Sequence, residues 1–101
     1  MKNSVKISAL VITYNEENNI ERCLNSLDGI ADEILVIDSF STDRTVGIFK
    51  NRGVNFGQHR FEGHIEQKNY ALSRANYDHV LSLDADEAVS EDLKQSILSA
   101  K

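Results

Sequence analysis

Three apolar runs limit what this chain can fold into. Val5, Ile7, Ala9, Leu10, Val11 and Ile12 begin as an alternation and end as a continuous stretch. Ile34-Leu35-Val36-Ile37 and Val80-Leu81-Ser82-Leu83 are shorter and equally abrupt. Short continuous apolar runs suit strands buried on both faces, as in a parallel sheet. Val54-Asn55-Phe56 adds a weaker candidate strand. Helical spacing fills the gaps between them. Ile20, Cys23, Leu24 and Leu27 form one stripe, Val46 and Phe49 a second, and Leu72 and Ala75 an inward pair on a helix from Ile65 to Ala75. Leu93, Ile97 and Leu98 follow a start at Ser90-Glu91-Asp92. Asn15 reads as the N-cap of the first helix, with Glu16 and Glu17 complementing its dipole. Asp28-Gly29 closes that helix, and Gly53 fits the C-cap of the second. The order is β-α-β-α-β-α-β-α, which predicts a mainly parallel sheet with helices on both faces, a three-layer α/β fold.

The strands end in functional groups. The first runs into Tyr14-Asn15, the second into Asp38-Ser39, and the last into Asp84-Ala85-Asp86-Glu87. In open α/β sheets, ligands bind outside the carboxyl ends of the strands. If these strands are neighbours, their polar ends meet in one cleft. Two aspartates so close repel unless a cation or a donor lies between them. The pair is therefore either a divalent metal site or a solvated acidic turn leading into the last helix. Tyr14 can belong to the cleft or pack on the first helix. Asp43 reads as a helix cap, and Lys68 as either a site cation or a solvated helix charge. Neither a Gly-x-Gly-x-x-Gly nor a Gly-x-x-x-x-Gly-Lys-Ser/Thr sequence is present.

Charge and cysteine content remove other classes. Sixteen acids against eleven Lys and Arg leave a net charge of −5. That disfavours a nucleic-acid binder, which needs a basic face, and also attraction to anionic lipid. Cys23 is the single cysteine, so no intramolecular disulfide forms, and its helical spacing places it as a reduced core thiol. His59, His64 and His79 lack zinc-site spacing and read as loop and surface residues. No stretch approaches the ~20 apolar residues of a membrane span, and the first residues lack the apolar core of a signal peptide.

Taken together the motifs resemble family 2 glycosyltransferases, the inverting GT-A type. The resemblance covers essentially the whole chain. It rests on Val11-Ile12-Thr13-Tyr14-Asn15-Glu16-Glu17, Ile34-Leu35-Val36-Ile37-Asp38-Ser39-Phe40-Ser41-Thr42-Asp43, Gln67-Lys68-Asn69-Tyr70-Ala71-Leu72 and Leu83-Asp84-Ala85-Asp86-Glu87, in that order. It implies a nucleotide-sugar-binding domain, with a UDP-sugar as donor. Tyr14 would lie against the base, Glu17 and Asp38 would contact base or ribose, and Lys68 would approach the diphosphate. Asp84 would reach the ribose or a metal-bound water, and Asp86 would hold Mg²⁺ or Mn²⁺. Thr13, Asn15, Ser39 and Ala85 complete the implied donor-binding set.

Two departures from the family pattern stand out. The second strand of such enzymes commonly ends Asp-Asp-Gly-Ser, whereas here it reads Asp38-Ser39-Phe40-Ser41. A hydroxyl thus replaces a base-contacting carboxylate. This variant, with Gln67-Lys68-Asn69, looks most like the subset acting on lipopolysaccharide core sugars, which implies transfer of a hexose to a carbohydrate or glycolipid acceptor. The family's acceptor half and general base lie beyond the Asp-x-Asp. The expectation is therefore a single domain over 1–101, an N-terminal part with no catalytic base of its own and no transfer activity alone. It would be cytoplasmic, peripheral to the inner face of the membrane in the full-length protein, and could self-associate through surface left open. Two further readings are a phosphohydrolase with Asp84 as nucleophile and a non-catalytic interaction module of the same fold.

Overall fold

The structure, a computed structural model, describes residues 5–100. Its elements are β1 (Ile7–Thr13), α1 (Ile20–Ser26), β2 (Glu33–Asp38), α2 (Thr45–Arg52), β3 (Asn55–Gln58), α3 (His64–Arg74), β4 (His79–Asp84) and α4 (Glu91–Ala100). The strands form one sheet in the order β3-β2-β1-β4, and every pairing is parallel. The chain winds outward from β1 through β2 to β3. Helix α3 then carries it back across the sheet, so that β4 pairs with the other side of β1. That reversal puts the topological switch point between β1 and β4. The register aligns Thr13 with Asp38 and Ile12 with Asp84, so three carboxyl ends lie side by side.

Alternate residues of β1 serve the two faces, as a strand demands. Ala9 and Val11 join Val36, the α1 stripe Ile20, Cys23, Leu24 and Leu27, and Phe49 of α2 in one core, onto which Ile97 of α4 packs. Leu10 and Ile37 face the other way, against Ala71 of α3. The expected three-layer α/β architecture is the one found. Cys23 is fully buried in the larger core, and burial, with lesser repulsion from Glu87, pushes its thiol up to about 11. Such a thiol is inert at neutral pH. No helix among the described residues is long and apolar enough to cross a membrane.

Four local expectations change. The run Val80–Leu83 is not a strand buried on both faces: β4 is an edge strand, Val80 is exposed, and Leu81 and Leu83 are half-buried. The cause is its position, with a single neighbour in the sheet. On helix α3 the expected inward Ala75 does pack against the sheet core, but Leu72 does not. The buried positions of the helix are Gln67 and Ala71, while Leu72 is 53% exposed. Helix α4 buries none of its residues fully, leaving Leu93 and Leu98 outward. Asn15 does not cap α1, which starts five residues later behind a tight turn in which Ile20 N–H bonds to Glu16 O at 2.9 Å.

Candidate functional site

Two polar side chains fasten the β2–α2 loop to the end of β1. Asp38 is fully buried. Its carboxylate accepts from Thr13 Oγ1 at 2.7 Å, Ser41 N at 2.8 Å, Ser41 Oγ at 2.5 Å and Gln58 Nε2 at 3.4 Å. A buried carboxylate persists only when saturated in this way. Asn15 takes a left-handed conformation with φ of 50°, which Asn tolerates better than most residues. From there its Oδ1 accepts from Thr42 N at 2.7 Å and Asp43 N at 3.3 Å, and its backbone N–H donates to Ser41 Oγ at 2.8 Å. Asp43 is not the N-cap of α2, a position held by Arg44 with no side-chain cap bond; from one residue earlier its carboxylate accepts from Thr45 N at 2.9 Å. Desolvation, the largest single influence, raises its pKa, but the bonds from the Thr45 hydroxyl and amide and from Glu17 N together outweigh it and hold the carboxyl below its usual range.

The acidic turn after β4 is tied down by its backbone. Glu87 N donates to Asp84 O at 2.9 Å, and Asp84 N donates back to Glu87 Oε1 at 2.8 Å. Ala85 N reaches Ile12 O at 3.2 Å, and Arg22 of α1 donates to Asp86 O at 3.0 Å. Glu87 is thereby consumed as the closing group of the turn. The carboxylates of Asp84 and Asp86 remain, both exposed, and among the described residues no cation pairs with either.

These two features face one cleft of about 250 Å³ at the carboxyl edge of the sheet. Asp84, Ala85 and Asp86 form one side, Thr13, Tyr14 and Glu16 the end of β1, Ser39 the start of the loop, and Phe61 and His64 the approach to α3. Tyr14 is 57% exposed there, so it does not pack away on α1. A larger cavity, about 550 Å³, opens at the opposite end of the sheet between β4 and α4. Its lining is mostly apolar, with Asp78 and His79 at its rim; it lacks the convergent polar groups of the smaller cleft.

Of the residues singled out from sequence, Thr13, Tyr14, Ser39, Asp84, Ala85 and Asp86 line the cleft. Asp38 and Asn15 lie behind it and shape its wall. Glu17 is elsewhere, bonded to Arg44 N at 3.1 Å and Arg44 Nη2 at 3.2 Å over the start of α2. Lys68 is exposed and outside the lining, one helical turn beyond His64 on the same face of α3. Glu16, Phe61 and His64 also line the cleft, although the sequence reading gave Glu16 to a helix dipole and His64 to the surface and did not name Phe61. Their signal is positional. Each sits just after a strand end or just before a helix start, at the sheet edge that already held the aspartates.

Among the described residues no group of three or more His, Cys, Asp or Glu is gathered for a metal. The donor set of the cleft is instead a pair of hard carboxylate ligands. That suits Mg²⁺ or Mn²⁺, which take one or two protein carboxylates and complete their shell with phosphate and water.

Residues 8–100 match the model of the glycosyl transferase family 2. A glycosyltransferase of Rickettsia bellii is 44% identical over 92 residues, covering 91% of this chain and 31% of the relative. The lipopolysaccharide core biosynthesis glycosyltransferase LpsC of Rhizobium meliloti is 31% identical over 94 residues, 88% of this chain and 34% of the relative. The chain thus spans about a third of the length of the curated relatives it matches. Among solved structures, Staphylococcus aureus TarS 1-349 in complex with UDP-GlcNAc superposes with a TM-score of 0.74 at 30% identity, covering 94% of this chain and 30% of that one. Glucosyl-3-phosphoglycerate synthase of Mycobacterium tuberculosis, in complex with Mn²⁺, UDP and phosphoglyceric acid, does so with 0.71 at 27%, covering 83% of this chain and 35% of that one. The fold, the cleft at the switch point and a family match over nearly the whole chain converge on one assignment: this chain belongs to glycosyl transferase family 2.

Proposed function

We propose that this chain is the donor-binding part of an inverting glycosyltransferase that uses a UDP-sugar and delivers a hexose to a cell-envelope polysaccharide or lipopolysaccharide. The observation that carries the reading is the pairing of Tyr14 with Asp84 and Asp86 across one cleft. A nucleotide needs a flat apolar face for its base and a counter-charge for its diphosphate. Tyr14 offers the face. Asp84 and Asp86 would hold a divalent cation, which when bound acts as a Lewis acid on the departing diphosphate. Ser39 and the backbone around Ala85 set the polar edge of the same cleft. Complexes of related enzymes with UDP-GlcNAc, and with UDP and Mn²⁺, support the donor and the metal. The likeness to LpsC supports the acceptor class.

On its own, this chain is proposed to bind donor without transferring sugar. Inverting transfer needs a general base within reach of the acceptor hydroxyl, opposite the leaving group. The acids here are committed: Asp38 to the loop, Glu87 to the turn, Glu17 to Arg44, and Glu16, which lines the cleft, to the amide of Asn19 at 3.0 Å. The full-length protein is proposed to work at the cytoplasmic face of the membrane. The open edge of β4, with Val80 exposed beside it, is the surface through which this chain would self-associate. Sedimentation should show dimers at high concentration; a strict monomer refutes that part.

The donor reading is tested by titrating the chain with UDP in the presence of Mn²⁺. Tyr14→Ala should weaken binding by about 1–3 kcal/mol, the range for base–aromatic stacking. Unchanged affinity removes Tyr14 from the site.

A further inference from the structure

The turn after β4 carries the two candidate metal ligands, and α1 holds it from behind. Ala85 and Val89 are buried and pack into the core with Ile20, Cys23 and Leu24 of α1. Two polar bonds run beside that packing. Arg22 Nη2 donates to Asp86 O at 3.0 Å, and Val89 N donates to Ser26 Oγ at 2.9 Å. Arg22 and Ser26 are four residues apart, so they stand on one face of α1. Among the described residues no carboxylate lies within ion-pair distance of Arg22. A guanidinium able to pair with an acid is bonded instead to a backbone carbonyl on a distant segment.

That bond completes a clamp on one peptide unit. A peptide unit is planar, so its C=O and N–H turn together. The Asp84–Ala85 unit is held at both atoms: its carbonyl accepts from Glu87 N at 2.9 Å, and its N–H donates to Ile12 O at 3.2 Å. The Asp86–Glu87 unit is also held at both, its N–H by Asp84 O and its carbonyl by Arg22. Remove Arg22, and this second unit is held at one atom, by the turn itself. It is then free to rock about the Cα–C bond of Asp86. We infer that Arg22 fixes the backbone at Asp86, so that its carboxylate stands with that of Asp84 as one preorganised pair for a divalent cation. This rests on the metal reading above. Arg22 does not line the cleft and is a positioning residue. Its charge alone acts with the opposite sign, because a cation near the pair repels a metal. Loss of Arg22 weakens metal binding if it positions Asp86, and strengthens it if only its charge counts.

The test compares wild type with Arg22→Ala and Arg22→Lys. Each chain is titrated with UDP in Mn²⁺ and in chelator, and its amide hydrogen exchange is followed without ligand. Arg22→Ala should weaken UDP binding in Mn²⁺ about tenfold, the low end for a group that orients a metal ligand. Binding in chelator should not change. Arg22→Lys keeps the charge and a donor, and should recover most of the loss. In an Asp86→Ala background, Arg22→Ala should cost nothing more. Without ligand, the Glu87 amide should exchange faster in Arg22→Ala, while the amides of β1 keep their wild-type protection. If Arg22→Ala fails to fold, Arg22→Gln decides, since it keeps part of the stem and loses the reach. Tighter or unchanged binding in Mn²⁺ overturns the inference. Equal weakening in Mn²⁺ and in chelator also overturns it, and assigns Arg22 to the nucleotide's charge or to the fold. If the wild-type chain binds no UDP in Mn²⁺, the donor reading fails on its own. The clamp is then judged by Glu87 exchange, and an unchanged rate in Arg22→Ala overturns it.

Discussion

Phe40 is the residue under most backbone strain. It has φ of 58° and is 55% exposed. A bulky residue in the left-handed region is a genuine outlier, at a cost of about 1–3 kcal/mol. The bonds from Ser41 N and Oγ to Asp38 hold it there, together with the grip of Asn15 on Thr42 and Asp43. Glycine adopts this φ freely, and the family motif carries glycine at this place. Phe40→Gly should therefore stabilise the chain by about 1 kcal/mol in urea unfolding, after the extra freedom of glycine in the unfolded state is subtracted. A loss of stability would show that the exposed ring makes contacts that outweigh the strain. The strain was not legible in the residue types alone, because it comes from the loop that Asp38 closes through its bonds to Ser41. Asp38 itself was singled out correctly as a residue of this strand end, but its burial came from two donors distant in sequence, Thr13 and Gln58.

At the scale of elements, the strands were the most legible part of the chain and helix α3 the least. Runs such as Ile34–Ile37 announce a strand by composition, and their polar successors announce its end. Helix α3 has few apolar residues, and its inward face is set by a saturated amide rather than by a hydrophobic stripe. A reading by apolar spacing therefore chose Leu72, one position away from Ala71. Edge placement of β4 was hidden for a different reason: strand order depends on where a crossover helix returns, and composition does not encode it. The register of α3 can be checked directly. Leu72→Gln should change stability by no more than about 0.5 kcal/mol, as for an ordinary surface substitution. Ala71→Leu should lose about 1–3 kcal/mol by overpacking against Leu10 and Ile37. The opposite order of effects would put Leu72 inside.

For the molecule as a whole, the proposed function rests on one sheet edge. The switch point between β1 and β4 opens the cleft, the Asp38 and Asn15 clamp shapes one wall, and the closed turn from Asp84 to Glu87 presents two carboxylates that pair with no cation among the described residues. The central claim is that this edge binds a uridine diphosphate through a divalent metal. It is tested most directly by calorimetric titration with UDP, with Mn²⁺ and with chelator, comparing wild type with Asp86→Ala. Wild type should bind saturably with Mn²⁺ and at least about tenfold more weakly without it, and the variant should show the weak level in both conditions. Its metal-free melting temperature should equal or exceed that of wild type, because one of two mutually repelling carboxylates is gone. UDP binding that is equally strong in wild type and variant, with or without Mn²⁺, would contradict the account.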